Sequence, residues 1–177
     1  NPQVKILYGA DNTGNLYNPL NIMQLVVDLG GYNTCDVITG DGGFDFSCEF
    51  NNQEQNMSKL IFCQILAALI NQKEGGTLIL KIFDINYLIT YDLIYILQCY
   101  YGTVTIYKPC ISRIANSEKY LVCTGYKKIP YLSISLGYLI KTGMMLYIIS
   151  YWKIDQNGID LIMIFNGLIV SIFGNHM

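Results

Sequence analysis

The sequence predicts an α/β protein built on a mostly parallel sheet. Three observations carry that expectation. Apolar strand-like runs alternate along the chain with segments of helical periodicity. One run, Thr77-Leu-Ile-Leu-Lys-Ile-Phe83, is almost continuously apolar, as a central strand covered on both faces would be. Paired glycines, Gly30-Gly31 and Gly75-Gly76, punctuate the boundaries between segments.

The first strand expected is Val4 to Tyr8. A Gly/Asn-rich loop follows, Gly9-Ala-Asp-Asn-Thr-Gly-Asn15, suited to tight turns and to close backbone approach by a ligand. A helix should begin at Pro19, because proline is favoured in a first helical turn. Ile22, Leu25, Val26 and Leu29 give it an apolar face, and Gly30-Gly31 should stop it. Cys35 to Gly40 reads as a buried strand ended by Asp41-Gly-Gly-Phe-Asp45. The polar stretch Asn51 to Asn56 should be a loop leading to a long helix from about Ser58 to Gln72. Leu60, Cys63, Ile65, Leu66, Leu69 and Ile70 form its apolar stripe. Gly75-Gly76 then turn the chain into the Thr77–Phe83 strand. Thr90 to Tyr100 reads as an amphipathic helix, and Thr103 to Lys108 and Lys119 to Tyr126 as strands. The loop between those two strands holds Pro109, Ser112, Arg113, Asn116 and Glu118. No internal repeat is evident.

Composition narrows the functional classes. A chain of 177 residues suits one domain or most of one. Hydrophobic residues make up 52% and charged residues 14%, low against the usual quarter, so much apolar surface must be buried in this chain or against another. A net charge of −2 excludes a global basic field, so any nucleic-acid contact has to be local. Lys108, Arg113, Lys119, Lys127 and Lys128 do cluster in sequence, although such a cluster can also be an ordinary solvated face. None of the six cysteines forms a C-x-x-C pair and the single histidine is His176, which argues against zinc. Most of the cysteines fall in apolar runs and read as buried free thiols of a reducing, intracellular compartment. The start shows no signal-peptide pattern and no initiator Met, as expected of a processed chain or a fragment.

The tail differs from the rest. Tyr131 to Trp152 and Ile159 to Phe173 are very apolar. Lys141 and Thr142-Gly143 interrupt the first segment, and the second has 15 residues, against roughly 20 needed to span a bilayer. The tail is therefore expected to pack as core or as an interface rather than cross a membrane. The chain divides into residues 1–130 and an apolar extension, 131–177.

Three polar residues sit in settings that suit chemistry. Asp41 lies at the carboxyl end of an apolar strand, the edge where open α/β sheets bind ligands. Lys81 lies inside the central strand, where a lysine is rarely buried unless paired. Glu118 opens the last strand after a loop rich in hydrogen-bond donors. Bland roles exist for each: a turn cap, a snorkelling edge lysine, an exposed strand end. Together, on successive strand ends, they form an acid–lysine–acid constellation.

The stretches Asp41-Gly-Gly-Phe-Asp45, Gly75-Gly-Thr-Leu-Ile-Leu-Lys-Ile-Phe-Asp84 and Lys108-Pro-Cys-Ile-Ser-Arg-Ile-Ala-Asn-Ser-Glu-Lys-Tyr-Leu-Val-Cys123 resemble FtsJ-like RNA ribose 2′-O-methyltransferases. The resemblance is nearest to the cap-specific mRNA branch of eukaryotes and large DNA viruses, and covers roughly Gly9 to Lys128. It implies a Rossmann-like S-adenosylmethionine-dependent fold whose last strand is antiparallel, with the first strands expected upstream of Asn1. It also implies a Lys–Asp–Lys–Glu tetrad in which Asp41, Lys81 and Glu118 are the second, third and fourth members. The first lysine and the loop for the cofactor's methionine end are expected upstream, so the chain alone should bind S-adenosylmethionine weakly and has a non-catalytic scaffold or RNA-binding module as its alternative reading. Cofactor contacts are implied for Gly14, Asn15 and Asp41, with Asn15 standing where relatives tend to carry Asp. Ser112, Arg113, Asn116 and Ser117 are implied RNA contacts, and Phe44 could stack on a base or pack in the core. Capped mRNA or another RNA is the implied substrate, and an upstream portion of the protein or a capping factor the implied partner, in the cytoplasm (viral factories included) or the nucleus. Lys81 is the implied base for the ribose 2′-hydroxyl.

Overall fold

The structure, a computed structural model, describes residues 4–43, 53–113 and 116–128. Among these, three helices and four strands follow one another along the chain. They are α1 (Pro19–Asp28), β1 (Cys35–Gly40), α2 (Gln53–Asn71), β2 (Gln72–Ile82), α3 (Leu88–Tyr100), β3 (Tyr101–Tyr107) and β4 (Lys119–Tyr126). The strands form one sheet in the order β1-β2-β4-β3. β1 and β2 are parallel, whereas β4 runs antiparallel to both β2 and β3. β1, β2 and β3 therefore share a direction, and the last strand is the reversed one.

Helix α1 shows how local chemistry sets the boundaries. The Asn18 side chain accepts from the Leu20 amide as an N-cap, and Pro19 follows in the first turn. At the other end the Gly30 amide donates to the Val27 carbonyl at 3.1 Å and the Gly31 amide to Val26 at 2.9 Å. Gly30 takes φ +82°, a conformation that glycine adopts without a Cβ penalty, and closes a Schellman motif.

One face of the sheet is packed. Leu78, Leu80 and Ile82 of β2 are buried with Leu121 and Cys123 of β4, and α2 lies over them. The alternate residues Thr77, Ile79 and Lys81 are only half-buried. Cover on both faces, expected from the apolar run, is thus not found among the described residues. The alternation buried/half-buried has period two, which apolar Ile79 on the open side masks in the sequence.

Other expectations also shift. Val4 to Tyr8 does not form a strand: no ladder partner lies beside it among the described residues, and Val4 and Ile6 are 69% and 70% exposed. Strand propensity needs a hydrogen-bonding neighbour to become a strand. Helix α2 begins at Gln53, so part of the expected polar loop is helical. Its first turn carries Glu54, only 6% exposed. The Glu54 carboxylate accepts from the Asn86 amide at 2.9 Å, the Tyr87 amide at 2.9 Å and the Thr90 hydroxyl at 2.6 Å. It therefore satisfies amides at the start of α3, and its charge favours that helix end. Glu54→Ala should destabilise the fold by about 3 kcal/mol, since buried donors lose a charged acceptor. Urea denaturation checks this; a loss under about 1 kcal/mol would contradict the capping role.

Strand β2 begins at Gln72, five residues before the expected Thr77. Gln72 is fully buried, donating to the carbonyls of Cys35 and Asp36 and accepting from the Tyr101 hydroxyl. A register shift between Cys35 and Val37, with Gly75 at φ +76°, absorbs the glycine pair as a bulge rather than a turn.

The cysteines are not uniformly buried. Cys63 and Cys123 are buried, Cys35 is half-buried, and Cys99 and Cys110 are exposed; Cys48 lies outside the described residues. Burial pushes the Cys63 and Cys123 thiols up to about 12, so they stay protonated and unreactive at neutral pH. Iodoacetamide on the native protein should label Cys99 and Cys110 within minutes and leave Cys63 and Cys123 unlabelled until denaturant is added, as read by peptide mass spectrometry. No helix among the described residues is long and apolar enough to cross a membrane. Phe44, Asp45 and the apolar tail lie outside the described residues.

Candidate functional site

Parallel β1 and β2 finish side by side, and reversed β4 starts beside the end of β2. Asp41, Lys81 and Glu118 are thereby gathered at one end of the sheet. Lys81 and Asp41 form an ion pair, Nζ to Oδ1, at 2.6 Å. The Lys81 side chain is 21% exposed and that of Asp41 67%, so the pair sits at the rim and its carboxylate faces solvent. Lys81 Nζ also lies 6.0 Å from the centre of the Phe83 ring.

Two glycines set the Asp41 backbone. A Cβ on Gly40 would come within 2.6 Å of Leu80 Cδ1 and 2.9 Å of Gln64 Oε1. The Gly42 amide donates to Gln64 Oε1 at 3.0 Å, tying the end of β1 to α2. Close approach, not a turn alone, accounts for glycine on both sides of the aspartate.

Glu118 is not ion-paired with Lys81 among the described residues. Its Oε1 accepts from the Tyr120 hydroxyl at 2.5 Å and its Oε2 from Asn116 Nδ2 at 3.4 Å. Its amide donates to Asn116 Oδ1 at 2.9 Å. Lys108, at the end of β3, donates to the backbone carbonyls of both Asn116 and Glu118, clamping the loop that carries them. Tyr120 stands directly opposite Lys81 in the β2–β4 ladder, hence on the same face. The Glu118 hydrogen bond, then burial and the charges of Glu118 and Asp41, push its phenol up to about 12.

Residues 9–18 form a self-supported loop. Asp11 Oδ1 accepts from the Thr13 amide at 2.9 Å, the Thr13 hydroxyl at 2.7 Å and Asn21 Nδ2 at 2.9 Å. Its Oδ2 accepts from Asn18 Nδ2 at 2.7 Å. These bonds, those of Thr13 and Asn18 foremost, hold the Asp11 carboxyl well below the usual carboxylate range. Asn21, 3% exposed, also donates to the Asn15 carbonyl at 2.9 Å. Gly14 takes φ +70° and donates to the Tyr8 carbonyl; Asn15 is exposed, its side-chain oxygen accepting from the Tyr17 amide. Helix α2 joins this loop to Asp41. Lys59 Nζ sits 5.0 Å from the Tyr17 ring centre, and Leu60, the next residue, and Gln64, a turn beyond it, lie against Gly42.

The implied RNA-contact residues occupy the clamped loop. Arg113 and Asn116 are exposed, Ser117 is half-buried, and the Ser112 hydroxyl is buried without a hydrogen-bond partner among the described residues. The basic residues do not make one patch. Lys108 points into its own loop and Lys119 pairs with Asp84 at 2.8 Å. Lys127 and Lys128 follow the far end of β4, roughly 25 Å from Arg113's end of that strand. Tyr120, Asp11 and Asn21 were not singled out from the sequence. Tyr120 was detectable, since it lies two positions beyond Glu118 in a strand and must share its face. The Asp11–Asn21 pairing has no local signature.

Residues 1–126 match the family described as FtsJ-like methyltransferase. The chain belongs to the FtsJ-like methyltransferase family. Among curated relatives, it is 35% identical over 120 residues to the cap-specific mRNA (nucleoside-2′-O-)-methyltransferase 2 of Mus musculus, covering 68% of this chain and 16% of that protein. It is 38% identical over 122 residues to cap-specific methyltransferase 1 of Bos taurus, covering 67% and 15%. With the corresponding methyltransferase 1 of Trypanosoma cruzi it shares 36% over 124 residues, covering 70% and 34%. The chain thus spans about a sixth of the length of the mammalian relatives. A ribosomal RNA methyltransferase structure from Plasmodium falciparum, described there as putative, aligns over 70% of this chain and 62% of its own at 24% identity and a TM-score of 0.47.

Proposed function

We propose that residues 1–130 are the carboxyl-proximal part of a domain that methylates a ribose 2′-hydroxyl of RNA, at the cap-proximal nucleotide of mRNA, with S-adenosylmethionine as donor. Residues 131–177 are then an extension outside the catalytic fold. The Lys81–Asp41 pair carries this reading. An amine and a carboxylate meet at the ligand-binding edge of an α/β sheet, in a chain whose relatives bear the name of that activity.

The donor set fits the cofactor's adenosine half. The loop of residues 9–18 is ordered by Asp11 and Asn21, so the exposed Gly14–Asn15 segment offers polar groups at little further entropic cost. Asp41 supplies an exposed carboxylate across α2 from that loop. When bound, S-adenosylmethionine supplies an electrophilic methyl group on a sulfonium. Lys81 accepts the proton of the ribose 2′-hydroxyl at Nζ, and Asp41 orients that amine and balances its charge once protonated. Glu118, held by Tyr120 and Asn116, faces the same space. Arg113 suits a phosphate of the acceptor strand, and Ser112, Asn116 and Ser117 line the loop beside it. RNA with a 5′ cap is the substrate, and an upstream portion of the protein or a capping factor the partner, in a compartment that holds mRNA.

The test is methyl transfer from labelled S-adenosylmethionine by the full-length protein to capped and uncapped RNA, with nucleosides identified by mass spectrometry. A 2′-O-methyl group on a cap-proximal nucleotide supports the reading. Methylation of a base, or equal labelling of capped and uncapped RNA, overturns its chemistry or its target. A protein that binds capped RNA without methylating it would be the scaffold alternative.

A further inference from the structure

We propose that Tyr120 is a positioning residue of this site, its hydroxyl holding Glu118 in place and apart from the Lys81 ammonium. The inference rests on the function proposed above. Three independent observations support it. The β2–β4 register sets Tyr120 directly across from Lys81 on the same face, two positions on from Glu118. The hydroxyl is committed to Glu118 Oε1 at 2.5 Å, the shorter of that carboxylate's two side-chain bonds. Lys81, meanwhile, pairs with Asp41 alone among the described carboxylates.

The consequence is a division of labour between two acids. Asp41 is bound to the amine. Glu118 is tied by Tyr120 and Asn116, and Asn116 is in turn held through its carbonyl by Lys108. A carboxylate with one oxygen occupied by a phenol keeps a lone pair for the substrate ribose without collapsing onto the lysine. Without that donor, Glu118 loses its shorter bond and can turn toward Lys81, where a second anion favours the charged amine, which cannot accept a proton. The phenol remains a donor across the working range, because Glu118 and Asp41 push its ionisation up to about 12. The charged or titratable groups placed around it are Asp41 just past β1, Lys81 from β2, Tyr107, its register partner on β3, Lys108 just past β3, whose ammonium holds the Glu118 carbonyl, and Glu118 just before β4.

Tyr120→Phe removes only the hydroxyl. In the full-length protein it should lower kcat at neutral pH by about tenfold, leave the KM for capped RNA within about twofold, and move the rise of the pH–rate profile to higher pH. A second measurement needs no activity. 3-Fluorotyrosine placed at position 120 reports its own ionisation by fluorine NMR, and Glu118→Gln should lower that midpoint by at least about one unit, because the acceptor charge is gone. Unchanged kcat and pH profile in Tyr120→Phe, or a midpoint insensitive to Glu118→Gln, overturns the inference. Lys81→Ala separates the two levels. If it stays active, the proposed function fails; if it is inactive while Tyr120→Phe behaves as the parent, only the role of Tyr120 fails.

Discussion

Lys81→Ala should reduce methyl transfer to RNA by at least about 100-fold, the usual contribution of a positioned acid–base group. The change should fall on kcat, with RNA affinity within a few fold, since the RNA contacts proposed on the 109–118 loop are untouched. The fold should survive. Lys81 is half-buried on the less covered face of the sheet, and its removal leaves Asp41 already 67% exposed to water. Lys81→Arg is the more discriminating change. It keeps a cation beside Asp41 but supplies a group that does not give up its proton. An inactive Lys81→Arg protein with normal stability would separate a proton-accepting role from mere charge balance. Asp41→Asn should lose less than either, because the amine stays while its orienting charge is lost.

Gly9→Ala should have the largest effect on the fold near the 9–18 loop proposed to hold the cofactor, about 3 kcal/mol. Gly9 takes φ +77°, and a Cβ there would come within 2.5 Å of Asn21 Cβ and Cγ. A left-handed alanine costs about 1–2 kcal/mol and a forced overlap about 1–3 more. Asn21 cannot yield cheaply, because it is 3% exposed and bonds Asp11 and the Asn15 carbonyl. Gly14→Ala is the matched control. It shares the positive φ but would meet nothing within 4 Å, so it should cost only the backbone share, about 1–2 kcal/mol. Thermal melts of the pair isolate the Asn21 clash, and equal losses would refute it. Cofactor affinity should fall with the Gly9→Ala loop, by at least about tenfold. Acid is expected to spare the same loop. The Asp11 carboxyl is held below its ordinary value, so its stabilising bonds are present above that value and are lost only as pH falls through the depressed one. Protection of the Thr13 amide from exchange should therefore persist as pH drops through about 4, the ordinary aspartate range.

Much of the fold was legible because its signals are local. Pro19 and the Gly30-Gly31 pair marked α1 through capping chemistry alone. The two-residue early starts of α3 and β3 are boundary effects. What was illegible depended on distant partners. Val4 to Tyr8 has strand composition, yet pairing decides strands. Residues 53–56 look like a polar loop until Glu54 is seen accepting from Asn86 and Tyr87 more than thirty positions away. Gln72 reads as a helix end and is the buried bridge between β1 and Tyr101. At the site, the meeting of Lys81 and Asp41 followed from strand ends of a parallel pair. Reversed β4 brings Glu118 to that same end, yet its partner is Tyr120, a choice made by cross-strand register that spacing alone does not reveal.

The most direct measurement is a structure of the full-length protein bound to a capped oligonucleotide and a non-reactive cofactor analogue. The acceptor ribose 2′-oxygen is expected within about 3 Å of Lys81 Nζ, on the face of the sheet that carries Tyr120 and Asp41. A ribose bound on the opposite face, against α2 and α3, or a 2′-oxygen served by some other base with Lys81 turned to solvent, would contradict it.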